Sequence, residues 1–270
     1  MKKFKLKKLL SISIVALLSF SLVACGKSAE KTNSSLDKIK KNKKIVLGTC
    51  ADYPPYEFHK EVNGKDTIVG FDIEIAKEVA KDLGVELEIK DMKFDGLLPA
   101  LSSGNIDFIV ASMTPTAERA KSVDFSKIYY KASQAIVVKA KESNKFNSLE
   151  SLKGLNIGAQ KGTLQEEIAK TQIPNSKVKS LPKVTDLILA LNTGKVDAVV
   201  MEDPVARAYV AHDNSISLAN VKVVDKDGGS AIAVKKGSSD FVKALNTTID
   251  KLQKGNKIDQ FVIDANKLQD

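Results

Sequence analysis

The sequence predicts an α/β protein of two lobes joined by a double-stranded hinge. Three observations carry this expectation. Short apolar strands alternate with amphipathic helical segments. The alternation runs once to about residue 112 and restarts near residue 155. A final strand and helix follow the second block, and their return to the first block would make a second crossing between lobes. A chain of 270 residues is long enough for two modest cores.

In the first block, Ile45–Gly48 reads as a buried strand closed by the turn-rich Ala51–Pro55. Residues 72–83 place Ile73, Ala76, Ala80 and Leu83 on one helical face, and Gly84 ends that helix. Val85–Ile89 alternates as a strand, Gly96–Ser103 is a helix and Ile106–Ala111 a strand. In the second block the strands are Leu155–Ala159, Val178–Leu181 and Val196–Met201, with helices at Leu164–Thr171 and Asp186–Leu191. Gly228–Val234 and Phe241–Leu252 are the closing strand and helix. The blocks share a cadence: an apolar helix ends at Gly104 or Gly194, and Asp107 or Asp197 precedes a buried strand. That cadence fits either related lobes or the general form of a helix–turn–strand. The expected division is residues 44–132 and 230–270 for one lobe and 133–229 for the other, with crossings near Lys131–Ala135 and Asp227–Ser230.

The amino terminus reads as a targeting segment. Five lysines lie in the first eight residues, and an apolar run from Leu9 to Ala24 follows, short for a membrane span. It ends at Leu22-Val-Ala-Cys25, similar to the lipobox of bacterial lipoproteins. Residues 1–24 are therefore expected to be a signal peptide, and Cys25 the acylated (palmitate-bearing) amino terminus. An ordinary signal peptide with a chance cysteine and a transmembrane helix are the alternatives. Residues 25–43, rich in Lys, Ser, Asn and Thr, read as a flexible tether. The expected location is the extracytoplasmic face of the cell membrane.

Charge and composition exclude several classes. The formal charge is +9, but removing the five leading lysines leaves +4, spread along the chain with no basic stripe among aromatics. Nucleic acid is not an expected partner. Two histidines and one cysteine beyond Cys25 give no metal-ligand spacing, so neither a metal nor a cofactor is expected.

In open α/β sheets, ligands sit beyond the carboxyl ends of the strands, and four such ends carry suggestive residues. Thr114-Pro115 looks like an N-cap with proline at the first helical position, and Arg119 follows, either as a surface arginine or as a two-pronged grip on a carboxylate. Thr163 and Glu166 form a capping-box pattern after Gly162. Asp203-Pro204 is either another N-cap or a carboxylate for an ammonium group. Tyr53-Pro-Pro-Tyr56 is a stiffened loop, either merely packed or holding Tyr53 as a flat wall. Together these parts suit one zwitterion.

Six segments carry a family resemblance: Tyr53-Pro-Pro-Tyr-Glu-Phe, Val69-Gly-Phe-Asp-Ile-Glu-Ile-Ala, Phe94-Asp-Gly-Leu-Leu-Pro-Ala-Leu, Met113-Thr-Pro-Thr-Ala-Glu-Arg, Val123-Asp-Phe-Ser and Gly162-Thr-Leu-Gln-Glu. Over residues 44–265 the chain resembles the family 3 solute-binding proteins for polar amino acids. The resemblance implies a periplasmic-binding-protein-like fold that closes over a free amino acid and delivers it to the permease of an ABC importer, as a monomer. It implies that Arg119 holds the α-carboxylate and that Thr114 adds its amide there and its hydroxyl to the α-ammonium. The Ser112 carbonyl and Asp203 carboxylate would complete the ammonium site, the Leu164 amide after Thr163 would meet the carboxylate, and Tyr53 and Phe94 would sandwich the side chain. Cys50 stands where several members for basic amino acids carry Asp or Asn, while Asp52 and Glu57 offer negative charge. Cationic, polar neutral (glutamine, cystine) and acidic ligands stay open. A dehydratase-like enzyme on the same fold would need a positioned acid or base beyond the zwitterion's partners, and none is found. A surface adhesin or sensor would use the same pocket.

Overall fold

The computed structural model describes residues 34–225 and 228–269; the signal-peptide and Cys25 expectations lie outside them. In chain order the elements are α1 (Ser35–Asn42), β1 (Lys44–Thr49), β2 (Asp52–Tyr53), β3 (Glu57–Val62), β4 (Lys65–Val69), α2 (Phe71–Leu83), β5 (Glu86–Asp91), α3 (Phe94–Ser103), β6 (Phe108–Ile109) and β7 (Val123–Tyr130). There follow β8 (Gln134–Lys139), β9 (Asn156–Gln160), α4 (Leu164–Thr171), β10 (Lys177–Leu181), α5 (Val184–Asn192), β11 (Ala198–Glu202), α6 (Asp203–His212), β12 (Ile216–Leu218), β13 (Ser230–Lys235), α7 (Ser239–Lys254) and α8 (Lys257–Lys267).

Two five-stranded sheets form the two lobes, in the orders β5-β1-β6-β13-β7 and β10-β9-β11-β8-β12. Their topologies match strand for strand. In each, the first three strands run parallel and the last two join antiparallel. β13 follows the second lobe in sequence yet lies between β6 and β7 of the first. The chain passes between lobes at residues 131–133 and again between β12 and β13.

The shared cadence has a physical cause. After α3, the Asp107 N–H donates to the Val46 carbonyl and its carboxylate accepts from the Val46 N–H, both at 2.8 Å. After α5, Asp197 makes the same pair of bonds with Asn156, both at 2.8 Å. Each aspartate thus clamps the parallel strand beside it. Each clamped strand, β1 or β9, carries a glycine where the covering residues leave no room. A Cβ at Gly48 would lie 2.3 Å from Ile106 Cδ1, and one at Gly158 would lie 3.0 Å from Leu187 Cδ2.

Helices take the faces their apolar stripes dictate. α2 buries Phe71, Ile73, Ile75, Ala76, Val79 and Ala80, and Gly84 closes it at φ 70°. α7 buries Phe241, Leu245, Ile249 and Leu252, one residue per turn. Strand β6 is shorter than the expected 106–111 run, because only Phe108 and Ile109 pair on both sides.

The tether expected through residue 43 ends earlier. Residues 35–42 form α1, which packs on β1 and α7 through Ile39, 1% exposed, and joins α7 by the Ser35–Ser238 hydroxyl bond of 3.0 Å. A lysine-rich composition hid a single well-placed apolar residue. Ile39→Ala is expected to destabilise the protein by about 2–3 kcal/mol in urea denaturation, as for other buried isoleucine truncations; a loss under about 0.5 kcal/mol, the scale of an exposed surface substitution, would mean that α1 belongs to the tether after all.

Candidate functional site

Between the lobes lies a cavity lined by Cys50, Tyr53, Glu57, Phe94, Ala111, Ser112, Thr114 and Arg119 from the first lobe. The second lobe contributes Gln160, Thr163, Leu164, Gln165 and Glu202. Apart from Glu57, which opens β3, the lining residues lie at carboxyl ends of strands or in the loops and first helical turns that follow them, where an α/β sheet leaves its crevice. Seven of the eight binding residues singled out in the sequence meet there: Tyr53, Phe94, Ser112, Thr114, Arg119, Thr163 and Leu164.

Asp203 does not, and this corrects the sequence reading. Strand β11 runs one residue further than the expected Met201, to Glu202, and Asp203 opens α6. Neighbouring strand residues face opposite ways, so the one-residue difference decides which carboxylate enters the cavity. Glu202 enters it, 5% exposed. Asp203 lies on the helix and pairs with Arg207 four residues on, at 2.7 and 3.0 Å.

Arg119 is buried in a one-turn 3₁₀ segment, Arg119–Lys121. The helix expected to start at Thr114-Pro115 is absent. The Thr116 hydroxyl instead accepts from the Arg119 N–H at 3.3 Å. The guanidinium donates to the Thr114 carbonyl at 2.7 Å and, across the lobes, to the Gly162 carbonyl at 2.8 Å. Its carbon sits 5.3 Å from the Phe94 ring centroid, a cation–π contact. Burial lowers its pKa to about 10, so it stays charged at neutral pH. Two of its five N–H groups are engaged in these bonds.

The facing helix α4 is capped by Thr163, whose hydroxyl accepts from the Glu166 N–H at 3.3 Å and donates to the Gln160 carbonyl at 2.6 Å. Glu166 turns back to the Gly162 N–H at 2.7 Å, one residue before the position a standard capping box would use.

Buried carboxyl groups dominate the other end. Glu202 accepts from the Ser112 hydroxyl at 2.9 Å and from the Tyr56 hydroxyl. Its backbone N–H donates to the Tyr53 hydroxyl at 3.2 Å. Behind it, Asp72 accepts from the Ser112 N–H at 2.9 Å and the Tyr129 hydroxyl at 2.7 Å, which holds Ser112 at φ 47°. Glu57 and Asp72 meet side by side; Glu57 Oε2 and Asp72 Oδ1 find no donor among the described residues, so a hydrogen bond between them needs a proton on one carboxyl. Desolvation raises the pKa of all three carboxyls: Glu57 far up, Asp72 to about 6 and Glu202 to about 7.

Near Cys50 the lobes meet again. The buried Cys50 thiol donates to Asp52 Oδ1 at 3.3 Å, and burial first, then the Asp52 charge, pushes its pKa up. Asp52 Oδ2 accepts the Val184 N–H of the second lobe at 2.7 Å, and the Gln160 amide reaches Asp52 Oδ1 at 3.4 Å. Lys161 and Asp95 close the rim at 2.8 Å. Glu202, Gln160 and Gln165 are the polar cavity residues that the sequence reading passed over. Glu202 was missed because the β11 apolar run ends at Met201, one residue before the strand does; for the two glutamines no pattern marks them.

The chain and its fold have counterparts in known proteins. The model of the bacterial extracellular solute-binding proteins, family 3, matches residues 45–263. The arginine-binding extracellular protein ArtP of Bacillus subtilis is 37% identical over 262 residues, covering 92% of this chain and 97% of that protein. The glutamine-binding protein GlnH of the ABC transporter of the same organism is 33% identical, covering 94% of this chain and 96% of its own. Among solved structures, the amino acid ABC transporter substrate-binding protein AbpA of Streptococcus pneumoniae, bound to L-arginine, superimposes with a TM-score of 0.84 at 39% identity, over 86% of this chain and 98% of that one. The chain belongs to the bacterial extracellular solute-binding proteins, family 3.

Proposed function

We propose that this protein is the extracytoplasmic amino-acid-binding lipoprotein of an ABC importer, that an acylated Cys25 anchors it, and that its ligand is a cationic L-amino acid, arginine foremost. The observation that carries the choice of ligand is electrostatic. Glu57 and Glu202 line the cavity, Asp52 and Asp72 stand directly behind them, and Arg119 is the only cationic residue in the lining among the described residues. Carboxyls desolvated without cations are costly, and a ligand with two positive groups and one negative group relieves that cost. The arginine-binding relative and the arginine-bound neighbour support the same reading.

In this reading the three free N–H groups of Arg119 and the amides at Thr114 and Leu164 receive the α-carboxylate. Glu202, with the Ser112 carbonyl, takes the α-ammonium in place of Asp203. Tyr53 and Phe94 flank the aliphatic stem, and the carboxyls around Glu57 and Asp52 face the distal cation. Ligand then bridges both lobes and favours the closed arrangement by its contacts to each. The protein acts as a monomer that docks on the permease and catalyses nothing.

A thermal-shift screen against the twenty amino acids and cystine is expected to give the largest shift with L-arginine or L-lysine, about 2.7 kcal/mol of added stability at one hundred times Kd. Responses to glutamine or cystine alone would overturn the choice of ligand. Arg119→Ala and Glu202→Gln should each cost at least about 2 kcal/mol of binding in calorimetry, the scale for removing one partner of a buried charged pair, while Asp203→Asn leaves affinity unchanged. The reverse pattern for Glu202 and Asp203 would return the ammonium site to Asp203.

The buried carboxyls also set a pH dependence. Glu202 binds its proton more tightly in the folded protein, about 7 against an ordinary 4.5. Its contribution is therefore full below about pH 4.5 and is lost as pH rises through about 7. Without amino acid, urea melts should show stability falling over that window by up to about 3 kcal/mol more in the natural protein than in Glu202→Gln. Parallel curves for the two proteins would show that Glu202 is not the titrating group.

A further inference from the structure

Gln165 is the inner end of a buried chain of amides that begins at a carboxylate outside the cavity. Asp225 Oδ2 accepts from Gln134 Nε2 at 2.8 Å, and Gln134 Oε1 accepts from Gln165 Nε2 at 3.0 Å. Gln134 and Gln165 are 8% and 6% exposed. The second Asp225 oxygen is buried with no partner among the described residues.

The carboxylate fixes the direction of the whole chain. It can only accept, so Gln134 must turn its NH₂ to Asp225 and its carbonyl to Gln165. Gln165 must then spend its NH₂ on Gln134. Its own carbonyl oxygen is left over, and it makes no hydrogen bond among the described residues. Gln165 and Glu202 line the same cavity, and Gln134 stands opposite Glu202 in the β8–β11 register.

We propose that Asp225 and Gln134 are positioning residues that hold the Gln165 carbonyl oxygen toward the ligand, as a second acceptor beside Glu202 for the α-ammonium group. The proposal rests on the amino-acid-binding reading above. A chain of opposite direction would present an NH₂ donor to a cation that itself only donates. The relay therefore selects a ligand with an N–H-bearing cation at that end, and it ties the selection to Gln134, the first residue after the 131–133 crossing.

The test is calorimetry of the purified protein with L-arginine and with argininic acid, in which a hydroxyl replaces the α-amino group. In Asp225→Asn the first link can donate as well as accept, so the direction is no longer imposed. Asp225→Asn and Gln165→Met are each expected to weaken L-arginine binding about tenfold, the scale of one hydrogen bond to a charged group, and to change argininic acid binding less than about twofold, since a neutral hydroxyl accepts as well as donates. The double variant should lose about tenfold, because both changes break one relay. Natural affinity in Asp225→Asn, or a roughly hundredfold multiplicative loss in the double variant, would overturn the relay. Should Asp225→Asn not fold, Gln134→Met interrupts the same chain and is read in the same way. An unaltered protein that binds neither L-arginine nor L-lysine overturns the function reading and the relay with it; normal binding of the cationic amino acid with an indifferent Asp225→Asn overturns the relay alone.

Discussion

A carboxylate withdrawn from water between two lobes needs donors, and Glu202 draws its donors from the lobe opposite its own. The hydroxyls of Tyr56 and Ser112 reach it, and its backbone N–H goes to Tyr53. Asp52 is the counterpart on the other side, accepting from Val184 and Gln160 of the second lobe. Each lobe thus offers a buried acid that the other helps to satisfy, with the Cys50 thiol adding a donor to Asp52 from its own lobe. Such polar contacts are worth little when complete and cost much when half made. The closed arrangement is therefore specific in geometry while the net stabilisation stays modest, which suits two bodies that have to part again.

The rest of the architecture delivers these groups to one place. Both sheets use the same device, an aspartate after the helix that clamps the adjacent parallel strand, so the loops at the carboxyl ends start from equivalent points. The glycines at 48 and 158 let the covering apolar side chains sit directly on the backbone. The groups that each lobe presents to the cavity differ. One carries Arg119 and the aromatic wall; the other carries the α4 cap and Glu202.

Much of the fold was legible because its signals are periodic. The stripes of α2 and α7 and the apolar runs of β1 and β11 follow directly from spacing. Three features were not read for identifiable reasons. The β3–β4 hairpin turns at Asn63-Gly64, with φ of 52° and 75°, a dipeptide suited to a two-residue turn but set in a strand pair of mostly polar, half-exposed residues. Helix α1 depends on one isoleucine among lysines. Thr114-Pro115 has the local chemistry of a helix start, yet the segment is drawn instead to the Arg119 turn, where the guanidinium binds the Thr114 carbonyl. At the site, the error of one residue between Asp203 and Glu202 came from ending β11 at Met201. The roles of Gln160 and Gln165 depend on contacts between segments distant in the chain, which no local pattern records.

Ser112 carries a conflict that no single residue type resolves. Its left-handed backbone, pinned by Asp72, costs a residue with a side chain about 1–2 kcal/mol. Glycine would sit there without strain but would forfeit the hydroxyl that Glu202 accepts. Alanine would keep the strain and lose the hydroxyl as well. Serine is the smallest side chain that both reaches the acid and fits the bend, so the position accepts a permanent conformational burden in exchange for a link between halves.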